Sequence, residues 1–441
     1  MLQSAISVSV SGVSLWQAQR RTAARPFLSE NVETRVAIVG GGLDGLALAL
    51  HLADAGIAPI VIEAGDICSG AAAASAGIVA PQLVRNTPNG VAKRMGAAPA
   101  ARFLKMLAES GSYCFSLIGA DRERCGAFGA GFIAPSFGAS GQHNAAAIIE
   151  QWLPFRSDLR AIGAEEVGRL TGTRGYGSAL LDPSGGSLDP IAYGDLLAEK
   201  AEGLGARIFT DSQAGSIERR DGKWRVGTAH GSVAADTVIL CANGSNPVLR
   251  RELRRTVLPL RVCQVATRPL SDEMRRSILP QGHALTDTEA DVFSIRFDRE
   301  GRLITAHPMS RELESPERLY RVINERLAAA LPSYTAGPLE FAWSGVAWLN
   351  SNLLPRAVEV ADGMFALQAC NGRGIALSGV IGREFGRWIA GDRTEPCALP
   401  IERPRPIRGY FLAQSAPKLI MRTSLLAQRL RRAFPAGRNN G

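Results

Sequence analysis

The chain alternates short apolar runs with helical patterns, and the clearest of these come early. Val36–Val39 is an uninterrupted β-type run that ends in Gly40-Gly41-Gly42. From Asp44 the pattern turns helical: Leu46, Leu48, Leu50 and Leu52 stand among alanines, and Gly56 supplies a C-terminal stop. A second apolar run, Ile60–Ile62, closes on Glu63. Strand, loop, helix and strand are therefore complete between residues 36 and 63. Pro59 precedes the second run, which a strand's first residue tolerates.

Farther along, residues 97–118 and 191–203 read as helices, and 126–188, rich in Gly and Pro, as strands and loops. Residues 206–241 read as strand, hairpin and strand, with a turn at Asp221-Gly222. Residues 257–307 read as strands and 315–331 as a helix. A last unit runs from Met364–Leu367 through the loop Gln368–Gly374 into a helix ending at Ala390. Residues 1–34 read as an irregular arm, and no internal repeat is visible.

Composition sharpens this picture in one respect. The 441 residues carry a formal net charge of +9, but Ile401–Gly441 hold nine basic residues and one acid. The body is near neutral, which disfavours a protein that coats nucleic acid. A hydrophobic content of 46% and a charged content of 21% fit a globular protein of two or three structural units. The seven cysteines form no CxxC pair, and the histidines show no ligand spacing, so no metal site is expected. The N-terminus lacks a basic n-region and a long apolar core, so no signal peptide is read there. No apolar run is long enough to span a bilayer. A cytoplasmic location with reduced thiols is the expectation.

The chemistry concentrates at Gly40-x-Gly42-x-x-Gly45. Gly40 permits the tight turn, Gly42 lets backbone amides approach a pyrophosphate, and Gly45 lets the helix pack on the strand. The helix N-terminus offers unpaired N–H groups and a favourable dipole to the anion. Glu63 ends the second strand, where its carboxylate accepts from a ribose 2′-OH and would repel the 2′-phosphate of NADP. Asp44 reads as a first-turn helix residue.

VAIVGGGLDGLALALHLADAGIAPIVIEAG resembles the N-terminal FAD motif of the D-amino-acid oxidase, sarcosine oxidase and glycine oxidase superfamily. Ser14-Leu15-Trp16 and Arg25-Pro26-Phe27-Leu28 look like the lead-in arm of γ-glutamylputrescine-oxidase-like proteins. SGAAAASAG at 69–77 resembles the family's small-residue loop behind the flavin. ADTVILCANGSNP at 235–247, LPLRVCQVATRPL at 258–270, FSIRFDREGRLITA at 293–306, FAWSGVAWLNSNLLPRAV at 341–358 and MFALQACNGRGIALSGVIGREFGRWIAG at 364–391 follow in the family's order.

That resemblance implies an α/β fold: a Rossmann-like FAD-binding domain with a discontinuous antiparallel-sheet substrate domain. The FAD-binding domain is expected at 35–110, 191–256 and 341–399, and the substrate domain at 111–190 and 257–340. The arm, 1–34, precedes them and the basic tail, 400–441, follows. FAD contacts are implied at Gly40, Gly42, Leu43, Asp44, Gly45, Glu63 and Ala64, and at Ser69, Ser75, Ala76 and Gly77. They are also implied at Ala214, whose backbone would meet adenine, and at Ala242 and Gly244. Asn371, Gly372, Arg373, Gly374 and Ile375 would face the flavin pyrimidine, where a helix N-terminus stabilises negative charge. The sequence departs from the family pattern at Ala72-Ala73-Ala74-Ser75, often a Ser-Gly-Arg-Asn run, and at Cys370, usually Gly. None of Val346–Leu349 is a cysteine, so covalent attachment of FAD there is not supported.

The implied activity is oxidation of a C–N bond of an amine or amino acid by hydride transfer to flavin N5, giving an imine that hydrolyses. The electron acceptor would be O2 or a quinone. Arg296 is a candidate partner for a substrate carboxylate, with a surface ion pair as the alternative. Gln264, Trp343 and Trp348 are candidates for the pocket wall, with core packing as the alternative for the tryptophans. His283 and His307 are weaker candidates for a base, while His51, His143 and His230 read as structural or loop residues. Residues 417–434 have the spacing of a basic amphipathic helix, which suits an anionic membrane surface or an acidic partner, or docking on its own domain. A membrane-surface dehydrogenase, a tRNA-modifying flavoprotein and a non-catalytic FAD-bound partner protein are the competing functions.

Overall fold

The computed structural model describes residues 8–10, 12–20, 24–137, 140–289, 292–391 and 393–414. The strand Asn31–Val39 alternates exposed and half-buried residues in its first half and buries Val36–Val39 entirely in its second. A continuous apolar run of that kind belongs at the centre of a parallel sheet covered on both faces. It pairs in parallel with Ser232–Leu240 on one side and with Ile60–Ile62 on the other, and Arg207–Phe209 follows at that edge. Beyond Ser232–Leu240 come Met364–Gln368, Arg356–Ala361 and Ile401–Glu402. The hairpin Ser216–Arg220 and Lys223–Gly227 joins the lower half of Ser232–Leu240, and its turn takes positive φ at Asp221 and Gly222.

Helices Leu43–Asp54, Pro190–Gly203 and Gly374–Ala390 pack with this sheet. The first and last cross closely, because a Cβ at Gly382 would lie 2.6 Å from the backbone of Ala47. The second sheet has the strand order 339–349, 258–269, 302–308, 294–297, 284–286, 132–137, 176–182 and 160–163. All its pairs are antiparallel except that of Ala284–Thr286 with Phe132–Phe137.

Several boundaries differ from the sequence expectation. Leu339–Leu349 pairs along its length with Leu258–Pro269, so the second sheet runs past residue 340. Helix Ser110–Ile118 packs on Gly374–Ala390 and so accompanies the first sheet, not the second. Ile401–Glu402 closes the first sheet instead of opening a tail. The stretch 126–188 holds two helices, Ser140–Trp152 and Ala164–Thr171, besides its strands. The arm is not irregular throughout: Leu15–Ala18 is a helical turn with a capping box between Ser14 and Gln17, and it buries Leu15 and Trp16. The amphipathic pattern at 417–434 lies outside the described residues.

Candidate active site

The glycine loop divides its work among three residues. Gly40 takes φ +116, and a Cβ there would sit 2.7 Å from the carbonyl carbon of Cys241. A Cβ at Gly45 would lie 2.0 Å from the carbonyl oxygen of Gly40, so helix Leu43–Asp54 seats on its strand only with glycine. Gly42 has open space where its side chain would be. It is the N-cap residue, and no side chain caps the helix, which leaves first-turn amides for a ligand. Glu63 is fixed beside the loop: its Oε2 accepts from Gly41 N at 2.6 Å and its Oε1 from Gly65 N at 3.2 Å.

A second loop turns toward the same space. After strand Met364–Gln368 the chain takes positive φ at Ala369, Asn371 and Gly372 before helix Gly374–Ala390 begins. Asn371 holds this conformation by accepting from Asn350 N at 3.0 Å and donating to Ala369 O at 2.7 Å. Ala369 N donates to Asn243 Oδ1 at 3.1 Å. Left-handed backbone at non-glycine residues marks a segment that its surroundings over-determine. Here its product is a second uncapped helix N-terminus.

Both loops line one cavity of about 1160 Å³, larger than a pocket for a single drug-sized ligand. Of the residues singled out in the sequence, Gly40, Gly42, Leu43, Asp44, Glu63, Ala64, Ser69, Ser75, Ala76, Ala214, Ala242, Asn371, Gly372, Arg373, Gly374, Ile375 and Gln264 line it. Its other wall comes from the second sheet and from helix Ser140–Trp152, through Ala145, Ile148 and Trp152. Burial pushes the Asp44 carboxyl up to about 6. Gln264 is buried, and its Oε1 has no hydrogen-bond partner among the described residues.

Two arginines line this cavity, Arg85 at an exposed position and Arg373 deeper in; Arg373 is the one held by the loop before helix Gly374–Ala390. Its Nε donates to Gln82 O at 3.2 Å, and its guanidinium lies 5.8 Å from the centre of the Phe132 ring. No carboxylate pairs with it among the described residues, and burial lowers it to about 10. Gln82 is itself anchored. Its side-chain amide donates to Asp182, a fully buried carboxylate that also accepts from Arg156 at 2.7 and 2.9 Å and from Ser184. The sequence offered no sign of Asp182, Arg156 or Gln82: Asp182 ends strand Tyr176–Asp182, Gln82 and Arg156 lie on loops, and the three meet only in the folded chain.

Arg296 and Trp343 do something else. Arg296 does not line the cavity. It is fully buried and donates to Ala76 O at 2.8 Å, Leu188 O at 2.9 Å and Phe297 O at 3.0 Å, with Trp16 stacked 4.6 Å away. With every nitrogen engaged by a carbonyl, it has no fork to offer a substrate carboxylate. Trp343 donates to Ala74 O at 3.2 Å and Trp16 to Ser75 O at 2.9 Å. Three side chains thus hold three successive carbonyls of the small-residue loop. Gly77 belongs to this brace, since a Cβ there would lie 2.3 Å from Arg296 Nη2. Gly244 faces Trp348 at 1.8 Å for a Cβ, so glycine seats that indole and neither residue lines the cavity. His283 lies outside the cavity, while His307 lines it with Nδ1 2.8 Å from Pro308 O.

Two open glycine cradles, two uncapped helix N-termini and an acid at the strand end fit an extended dinucleotide. The comparisons agree. The model of the DAO family, FAD-dependent oxidoreductases, matches residues 35–388. The chain is 25% identical over 413 residues to γ-glutamylputrescine oxidoreductase of Escherichia coli (strain K12), covering 91% of this chain and 96% of that one. Among solved structures, glycine oxidase from Geobacillus kaustophilus superposes with a TM-score of 0.67 at 20% identity, covering 83% of this chain and 96% of that one. L-proline dehydrogenase from P. horikoshii superposes with a TM-score of 0.68 at 16% identity, covering 81% and 94%.

Proposed function

We propose that this chain, which belongs to the DAO family of FAD-dependent oxidoreductases, oxidises the C–N bond of a small amine that carries a carboxylate, such as an amino acid. The observation that carries the reading is the pairing, in one cavity, of Arg373, which no carboxylate meets, and the buried Gln264 amide oxygen, which no donor meets, among the described residues. FAD supplies a two-electron acceptor for the hydride equivalent that leaves the carbon beside nitrogen, and the resulting imine hydrolyses.

The chain's own residues bind and orient. Gly40–Gly45, Glu63 and Ala214 would hold the dinucleotide, and the amides of Gly372–Ile375, which line the same cavity, would stabilise negative charge on the flavin. Arg373 receives the substrate carboxylate as a bidentate, charge-assisted pair. Gln264 Oε1 accepts from the substrate amine and so orients its neighbouring C–H. Asp182 and Gln82 keep the guanidinium in place.

Anaerobic addition of D- and L-amino acids and of simple amines to the FAD-loaded protein tests this. Carboxylate-bearing amines are expected to bleach the flavin band, and admission of O2 or a quinone to restore it. Hydrogen peroxide on reoxidation would identify O2 as the acceptor. A flavin that no amine bleaches would leave the non-catalytic partner role instead.

Asp44 gives a pH prediction. Below about 6 its carboxyl is protonated and neutral toward the pyrophosphate; above that it ionises and repels it. FAD affinity is therefore expected to weaken as pH rises through that value, and Asp44→Asn to abolish the change and bind more tightly in alkali. Fluorescence titration of FAD across pH measures both, and an unchanged profile in the variant would refute the assignment.

A further inference from the structure

We infer that the face formed by residues 248–255 and 403–412 docks on an anionic lipid surface and turns the mouth of the cavity toward it. The inference does not depend on the substrate reading. Ile407 N donates to Arg255 O at 2.7 Å, and the Arg255 guanidinium lies 4.7 Å from the Phe411 ring, so the two segments form one surface. Three large apolar side chains stand out from it: Val248 is 83% exposed, Phe411 70% and Leu412 82%. Phe411 and Leu412 belong to one helical turn, Tyr410–Ala413, and Ala413, Val248 and Leu249 line the cavity.

The same face is basic. Arg251, Arg254, Arg255, Arg405 and Arg408 are exposed, and no carboxylate pairs with any of them among the described residues. The nearby acid Glu252 is taken by Arg250 at 2.5 Å. Beyond residue 414 the sequence adds six basic residues and no acid.

Apolar tips ringed by unpaired cations match a phospholipid interface, where the tips enter the acyl boundary and each arginine meets anionic headgroups. Nucleic acid would answer the charge but not the exposed Val, Phe and Leu. No helix among the described residues is long and apolar enough to cross a membrane, so the contact is at the surface.

The test uses the full, FAD-loaded chain in co-sedimentation with vesicles. Vesicles of phosphatidylcholine with roughly one part in three phosphatidylglycerol should retain it, pure phosphatidylcholine should not, and moderate salt should release it. Phe411→Ser with Leu412→Ser should cut partitioning about tenfold, as should Arg251→Glu with Arg254→Glu and Arg255→Glu. Flavin content and activity on a soluble substrate report that the serine variant is folded. Truncation after Gln414 should weaken binding but leave its dependence on Phe411 and Leu412. Equal retention on neutral vesicles, wild-type binding by both face variants, or retention by RNA but not by vesicles would each overturn the inference.

Discussion

Gly42→Val is expected to yield a folded protein that does not retain FAD, whereas Gly45→Val is expected to yield no stable fold at all. Gly42 has an extended backbone, φ −78 and ψ 179, which valine adopts without strain. Nothing lies within 4 Å of its side-chain position, so the fold has no objection to the branch. The branch instead fills the space through which first-turn amides reach the pyrophosphate, and affinity should fall at least about 100-fold, or about 2.7 kcal/mol. At Gly45 the first added atom would stand 2.0 Å from a backbone oxygen. Relief requires helix Leu43–Asp54 to leave its strand and disturb its crossing with Gly374–Ala390, a loss of more than about 4 kcal/mol. The flavin-to-protein absorbance ratio and denaturant unfolding of the FAD-free proteins separate the two effects. A Gly42→Val protein that purifies yellow would refute the cradle.

Arg373→Met should lower kcat/KM for carboxylate-bearing amines by about 100- to 1000-fold, equivalent to about 3–4 kcal/mol, while amines without a carboxylate change only a few-fold. The preference is the diagnostic, since damage to the cavity as a whole would slow both classes alike. Arg296→Met should do the opposite. It strips donors from Ala76 O, Leu188 O and Phe297 O inside a buried brace, so it should lower thermal stability and flavin content without shifting substrate preference. If Arg296→Met abolished carboxylate preference in a stable, flavin-loaded protein and Arg373→Met did not, the assignment of the two arginines would be reversed.

That contrast locates the limit of reading this chain from sequence. The Gly40–Glu63 unit was legible because its requirements are local: a turn, a close helix seat and a strand end, each satisfied by one residue type. The loop before Gly374 was legible as a passage from strand to helix, and a role for it only through the family resemblance. Arg296 misled because its three acceptors are carbonyls at positions 76, 188 and 297, two of them brought close only by the packing of distant segments. Arg373 was noted for its amide, but the lack of an acid beside its guanidinium is a property of the assembled cavity. Residues 341–349 are expected with the FAD-binding part, yet they continue the strand Leu339–Leu349 beside Leu258–Pro269, because that partner is set by long-range pairing. Trp16 passed as part of an irregular arm because a four-residue helix leaves no periodic trace.

The central strand of the first sheet has a consequence during biosynthesis. Asn31–Val39 is made about 200 residues before its parallel partner Ser232–Leu240. At a translation rate of about 5–20 residues per second, the interval is about 10–40 s. Cys241, against which Gly40 packs, arrives only with that partner, and the Asn371–Gly374 loop follows later still. The nascent chain can pair this apolar strand with Ile60–Ile62 on one edge, but its other edge stays open until Ser232–Leu240 is made, and the complete cofactor cradle cannot assemble before residue 374.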